Sequence, residues 1–275
     1  MPHAEANGVR LWYELEGSGD PMVLVHGSWL DAADWQLLVR RLAGSFRVLT
    51  YDRRGHSRSD RPASQGSLDE DGDDLVALLE TLELAPAHAV TNSSGGNVAL
   101  ALAARRPDLF RSLCCHEPPL FALLAGGPEG PAILQQTDGT LQGIAGRIAA
   151  GDYEGGARQF VEGLVLGPGT WDVLPGELKT VMVRNAPTFL DELRDPSQGQ
   201  MDEAWLERIE VPVHLTIGDG SPPFFSLVID RLAALIPGAT RETLVGGHSP
   251  QNVAPDRYAE VIARWTESPA SAGPF

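Results

Sequence analysis

The chain has 275 residues, 43% of them hydrophobic and 21% charged, which excludes a fibrous or disordered protein and leaves room for one large α/β domain or a core with an insertion. Lys and Arg number 21 against 37 Asp and Glu, a formal charge of -16 and a sequence pI near 4.7, so nucleic acid and anionic membrane are poor partners. No apolar run approaches the ~20 residues of a bilayer span, and Met1-Pro2-His3-Ala4-Glu5 lacks the basic and apolar regions of a signal peptide. A cytoplasmic protein is expected.

Val9 to Glu16 alternates apolar and polar residues and predicts a strand, with Gly17-Ser18-Gly19-Asp20 closing it as a hairpin. Pro21 to Val25 is a continuous apolar run, as in a strand covered on both faces. It leads into His26-Gly27-Ser28-Trp29. A helix over Leu37 to Leu42 and a buried strand over Phe46 to Tyr51 follow, then the turn Asp52-Arg53-Arg54-Gly55-His56-Ser57-Arg58-Ser59-Asp60. Asp69 to Leu82 predicts a helix whose acidic first turn suits the positive end of its dipole. Ala87 to Thr91 is a strand, and Asn92-Ser93-Ser94-Gly95-Gly96-Asn97 joins it to an alanine-rich helix that runs to Arg106. Leu109 to Cys115 is the next strand, ending in His116-Glu117-Pro118-Pro119.

After Pro119 the alternation stops. From Leu120 to about Ile209 only helical pieces separated by Gly/Pro joints are legible, too long a stretch for a loop. The pattern resumes with a strand over Val211 to Ile217, a helix over Phe224 to Leu235, a strand near Thr240 to Val245 and a last helix to Trp265. The tail from Ser268 to Phe275 is rich in small residues, Pro and Gly, and is expected to fray. Alternating strands and helices predict an α/β fold with a mostly parallel sheet, flanked by helices and carrying an inserted helical cap. The expected organisation is a core of residues 1–119 and 210–275 with a cap at 120–209. Chemistry in such sheets collects at the carboxyl ends of the strands.

The stretch around Ser93 has the pattern of a nucleophile elbow, in which small neighbours let a tight strand-to-helix turn push a serine above the sheet. Thr91 departs from it, standing where the first glycine of G-x-S-x-G is expected. The register leaves two serines open, Ser93 and Ser94. A serine nucleophile needs a base and a donor pair for the oxyanion. Of the seven histidines, His248 follows a strand through Gly246-Gly247 and precedes the final helix, which suits a base. His88 and His214 lie within strands, and His26 belongs to a turn, where structural roles are expected. Cys114 and Cys115 are neighbours on a strand, so they point to opposite faces and are expected as buried, reduced thiols. The same alternation argues against a metal site in Cys114-Cys115-His116-Glu117, and no phosphate- or dinucleotide-binding glycine fingerprint occurs. No metal or cofactor is expected. Arg53, Arg54, Arg58 and Arg61 are read as partners for the acidic surface.

Together, His26-Gly27-x-Trp29, the Asp52 to Asp60 turn, the elbow, Glu117-Pro118-Pro119 and Gly247-His248 resemble the α/β-hydrolase superfamily, in its group of bacterial esterases and cofactor-independent haloperoxidases. The resemblance covers nearly the full length outside the helical insert. The similar family form Gly-Asn-Ser-Ser-Gly-Gly selects Ser93 as nucleophile and gives Ser94 a backbone oxyanion donor, with Ser28 supplying the second. The family usually places its acid after the strand that restarts the sheet, immediately before Ser-Pro-Pro; here Gly220 stands there and Asp219 one position earlier, with glycines on both sides to re-aim it toward His248. Glu117, at another strand end, is the alternative, and a histidine without an acid is a third reading. Trp29, with Leu123, Phe160, Trp171 and Phe189, is expected to line an apolar pocket.

The function expected from the resemblance is a serine hydrolase acting on a small-molecule ester or lactone. Perhydrolase or haloperoxidase-like chemistry on the same triad, or a catalytically weak ligand-binding or accessory protein, are the alternatives. Epoxide hydrolases and haloalkane dehalogenases of this fold use an aspartate nucleophile, which the elbow lacks. A homo-oligomer is left open.

Overall fold

In the computed structural model the described residues are 2–197 and 201–268. The tail expected to fray therefore lies, from residue 269 on, outside the described residues. Eight strands form one sheet: β1 (His3–Ala6), β2 (Val9–Glu16), β3 (Asp20–Val25), β4 (Phe46–Tyr51), β5 (Ala87–Asn92), β6 (Phe110–His116), β7 (Val213–Gly218) and β8 (Thr240–Leu244), in the order β1-β2-β4-β3-β5-β6-β7-β8. From β4 to β8 every pairing is parallel, whereas β2 runs antiparallel to both β1 and β4.

The hairpin expected at Gly17 to Asp20 is not formed, because β4 lies between β2 and β3. The hairpin is β1–β2, turned by Asn7-Gly8, both at positive φ (48° and 80°). An Asn-Gly pair favours that two-residue turn because both positions tolerate left-handed backbone. The alternation of β1 was too short to register as a strand.

The helices are α1 (Gln36–Leu42), α2 (Leu68–Thr81), α3 (Ser94–Arg105), α4 (Gly130–Ala149), α5 (Tyr153–Phe160), α6 (Thr170–Val173), α7 (Gly176–Arg194), α8 (Glu203–Leu206), α9 (Pro223–Leu235), α10 (Pro250–Val253) and α11 (Pro255–Thr266). Helix α2 begins with a capping box, in which the Ser67 hydroxyl accepts from the Glu70 N–H and donates to the Glu70 carboxylate. The period-2 alternation of the central strands divides the core. Met22, Leu24, Val48 and Cys114 pack beneath α1 and α11, against Trp35, Leu38, Val261 and Trp265. Val23, Val25, Leu113 and Cys115 face the other way, against Leu78, Leu102, Val228 and Leu232 of α2, α3 and α9. The two cysteines are thus free, buried and on opposite faces, and burial pushes the Cys115 thiol up to about 12.

Between β6 and β7 the described chain is helical. A third cluster joins Ile144, Ile148, Ala157, Val161, Met182 and Phe189 of this segment to Trp29 of the β3 loop. Buried Asn185 of α7 clamps the two parts together: its amide donates to the carbonyls of Trp29 (3.0 Å) and Leu30 (2.9 Å), and its oxygen accepts from the Ser57 N–H (2.9 Å). Among the described residues no helix is long and apolar enough to cross a membrane.

Candidate active site

Strand β5 ends at Asn92, and α3 starts at Ser94. The residue between them, Ser93, takes φ 52° and ψ -128°, a strained conformation for a residue with a Cβ. Neighbouring backbone holds it there. The Ser93 N–H donates to the His116 carbonyl at 2.9 Å, from the adjacent strand β6. The turn closes because Gly27 passes against it: a Cβ at Gly27 would come within 2.9 Å of the Ser93 Cβ. Thr91, fully buried at the position where glycine was expected, is accommodated opposite Gly96, where an added Cβ would meet the Thr91 hydroxyl at 3.3 Å.

The loop between β8 and α10 carries His248, which is 8% exposed. Its backbone is latched to the elbow, the Asn92 amide donating to the His248 carbonyl at 3.0 Å. Its Nδ1 donates to Glu117 Oε2 at 2.5 Å, and the ring stacks on Phe225 of α9 at 4.9 Å between centroids. Glu117 follows β6 at φ 47° and is fully buried; its Oε1 accepts from the Gly218 N–H at 2.7 Å. Burial opposes its ionisation, but the bond to His248 and the adjoining His116 and His248 rings outweigh burial and hold the carboxyl down at about 2.

His116 braces the same loop. A carbonyl only accepts, so His116 Nε2–H donates to the Gly247 carbonyl (3.0 Å) while Nδ1 accepts from the Thr216 hydroxyl (3.0 Å). Burial lowers the ring's pKa to about 4, so it is neutral at pH 7, and with Nε2 protonated Nδ1 is left as the acceptor. Among the described residues His116, Glu117 and His248 bring metal-ligand atom types within 4.8 Å of one another, but these atoms already bond to one another, to Thr216 and to Gly247.

Of the two acids weighed from sequence, the one on the imidazole is Glu117; Asp219 is not. Strand β7 runs on to Gly218, which leaves Asp219 exposed in the following turn, where its carboxylate accepts from the Gly246 N–H at 3.2 Å. The flanking glycines do not re-aim it, because His248 Nδ1 is already occupied from the other side.

Ser28 and Ser94 meet beside the elbow, the Ser28 hydroxyl donating to that of Ser94 at 3.0 Å. Ser94 is the first residue of α3, so its N–H has no intrahelical acceptor. Arg53 reaches the same hydroxyl at 3.0 Å while ion-paired to Asp71 and, at 2.9 Å, to Glu192 of α7. Burial opposes the Arg53 charge, yet the two carboxylates outweigh it; burial in turn raises the Glu192 carboxyl. Ion pairs with surface acids were expected of the other three arginines, but two find buried partners: Arg54 pairs with buried Asp74 and with Glu70, Arg58 with buried Asp52, and Arg61 with Asp191. His26 is structural: its Nε2 accepts the Arg53 N–H at 2.9 Å and its Nδ1–H donates to the Gly27 carbonyl at 2.8 Å.

A cavity of about 400 Å³ opens over Ser93, within the range of small-molecule sites. Phe121, Phe160, Phe189 and Phe225, from four separate segments, form its apolar wall, with Ser28, Ser94, Asn97 and Glu192 as polar lining. Phe160 and Phe189 are where they were expected. Trp29 is not: its fully buried indole packs in the cluster of the helical segment, with ring centroids 4.5 Å from Phe189 and 5.3 Å from Phe160. It supports the wall rather than forming it. Trp171 lies in that same cluster, and Leu123 lines a separate surface groove. Sequence reasoning missed Phe121, Phe225, Asn97 and Glu192. Only Asn97 left a signal, since four residues beyond Ser93 is one helical turn.

An eight-stranded, mostly parallel sheet with a serine elbow after β5, and a histidine–carboxylate pair from the loops after β8 and β6, defines an α/β-hydrolase architecture. The chain belongs to the alpha/beta hydrolase family, whose model matches residues 22–261. It is 36% identical to an uncharacterized hydrolase, YraK, of Bacillus subtilis over 43% of this chain and 45% of that protein. Against the zearalenone hydrolase of Bionectria ochroleuca it is 26% identical over 95% of each. A solved N-acyl homoserine lactone degrading enzyme is 26% identical with a TM-score of 0.76, covering 96% of this chain and 100% of that one. The chain spans 34–54% of the length of the first curated relatives it matches.

Proposed function

We propose that the protein is a serine hydrolase that cleaves a small-molecule carboxylic ester or lactone through an acyl-enzyme on Ser93. The observation that carries this is the 2.5 Å bond from His248 Nδ1 to buried Glu117, beside a strained serine under a cavity. With Nδ1 donating to Glu117, the neutral imidazole presents Nε2 as its basic nitrogen. His248 would take the Ser93 proton as Oγ adds to the acyl carbon, Glu117 would stabilise the imidazolium, and the N–H groups of Ser28 and Ser94 would hold the oxyanion. Collapse would expel the alkoxide, which takes the proton from His248; water, deprotonated by the same base, then releases the acid. From a lactone, the alcohol and acid leave as one molecule.

The names of the hydrolase and lactone-degrading relatives support this reading. Two departures from the family pattern are also accommodated: Gly96 makes room for Thr91, and Glu117 stands on the imidazole in place of Asp219. The test is incubation of the folded protein with a fluorophosphonate, followed by peptide mass mapping. An adduct on Ser93 that disappears in Ser93→Ala but persists in Ser94→Ala is expected. An unlabelled wild-type protein, or an adduct on Ser94, would overturn the assignment.

A further inference from the structure

Asn97 is fully buried and lines the cavity, yet neither its amide nitrogen nor its amide oxygen has a hydrogen-bond partner. A buried polar group left unpaired is costly, which makes such a group a candidate for a ligand's partner. Asn97 stands one turn beyond Ser93 on α3, about 6 Å along the axis, and helical side chains tilt toward the N-terminus. Asn97 and Ser93 line the same cavity. Its unpartnered amide has both a donor and an acceptor to offer a ligand in that cavity.

Charge supplies a second, independent constraint. Three carboxylates line the cavity, Asp138 at its exposed rim and Glu192 and Asp195 inside, and no Lys, Arg or His is among the lining residues. The guanidinium behind the wall, Arg53, is shared between Glu192 and Asp71, so it does not reverse the sign. Asp195 is fully engaged with the Leu68 N–H and with Ser197. An anionic acyl group would enter against a like-charged field with no counter-ion at its destination.

Resting on the hydrolase reading above, we infer that this site takes uncharged acyl compounds with an apolar body against the four phenylalanines. Their acyl side carries a hydroxyl or amide close to the carbonyl, bound by Asn97, and acyl compounds ending in a carboxylate are excluded. The site thus discriminates by charge and by the contact to Asn97.

The probes are three p-nitrophenyl esters of equal chain length: octanoate, 3-hydroxyoctanoate and the monoester of octanedioate, compared by kcat/KM at pH 7. The 3-hydroxy ester is expected to be fastest, and the carboxylate ester about a hundredfold slower than octanoate. Asn97→Leu should lower the ratio of 3-hydroxyoctanoate to octanoate by about tenfold; where that variant does not fold, Asn97→Ser gives the same comparison. Asp138→Lys, at the exposed rim, should raise the ratio of carboxylate ester to octanoate. Equal rates for the carboxylate and plain esters, or a hydroxyl ratio untouched at position 97, would overturn this inference and leave the hydrolase standing. No turnover of any ester together with no fluorophosphonate adduct at Ser93 would remove the hydrolase reading and this inference with it.

Discussion

Glu117 holds His248 from a position that combines complete burial, a left-handed backbone and a donor from Gly218 on its second oxygen. Glu117→Gln keeps the shape but offers a neutral amide to the imidazole, so kcat for an ester substrate should fall by about 10⁴. Asp219→Asn, on an exposed carboxylate bonded to a backbone N–H, should change it by less than about threefold; the reverse ranking in paired steady-state assays would restore Asp219 as the acid. The depressed Glu117 pKa also makes a prediction about stability. Its contribution is fully present above the ordinary value of 4.5 and is lost as the pH falls through about 2. Urea midpoints between pH 5 and 2 should therefore decline less steeply in Glu117→Gln than in the wild type. The residue types at the site were legible in sequence; the choice between two carboxylates was not. It depends on the pairing of Asn92 with His116 across β5 and β6 and on the end point of β7, which are non-local properties of the sheet. Trp29 misled for a related reason, because its indole packs into the helical segment through contacts distant in sequence.

At the level of elements, α7 is joined to the sheet loops by few but well-formed polar contacts. Asn185 makes bonds to Trp29, Leu30 and Ser57, and the Thr188 hydroxyl donates to the Gly55 carbonyl. Asn185→Leu would leave two carbonyls and an N–H without their partner in a buried setting, at a cost of about 3 kcal/mol. The loss should appear as a lower Tm and as faster hydrogen exchange confined to α7 and its neighbours; an unchanged Tm would show that apolar packing around Trp29 suffices. The strands and helices of the core were readable because period 2 and period 3.6 patterns are local, and most observed bounds fall within two residues of those expected. The β1–β2 hairpin was not, since four residues alternating across Asn7-Gly8 carry too little pattern. The helical segment was recognisable by the absence of strands, but its packing rests on aromatic contacts that no periodicity specifies.

For the molecule as a whole, several histidines are held neutral by burial. His26, His88 and His116 each have a pKa lowered to about 4, and burial is the leading cause in each. Between about pH 6.5 and 4 the unfolded chain takes up protons at these positions while the folded chain does not, so stability falls as the pH drops through that window and levels off below it. The charge of -16 acts in the opposite direction, because partial neutralisation relieves self-repulsion. Salt separates the two: at high ionic strength the repulsion is screened and the decline should steepen. His88, bonded to Ser112 and remote from the serine, gives the cleanest check. His88→Gln should lose less stability than the wild type between pH 6.5 and 4, and equal slopes would assign the decline elsewhere.

The latch between Asn92 and the carbonyl of His248 spans 156 residues, whereas Ser93 and Glu117 arise on neighbouring strands. Contacts distant in sequence carry the larger loop-closure entropy and tend to form late. During refolding the elbow and its acid can thus be assembled while the serine is still unreactive, and nucleophilicity would appear only when the C-terminal loop docks. A fluorophosphonate pulse at successive times would then serve as a clock for the final closure of the chain, lagging behind the circular dichroism of the sheet. On the proposed serine-hydrolase reading, reactivity would report on completed topology.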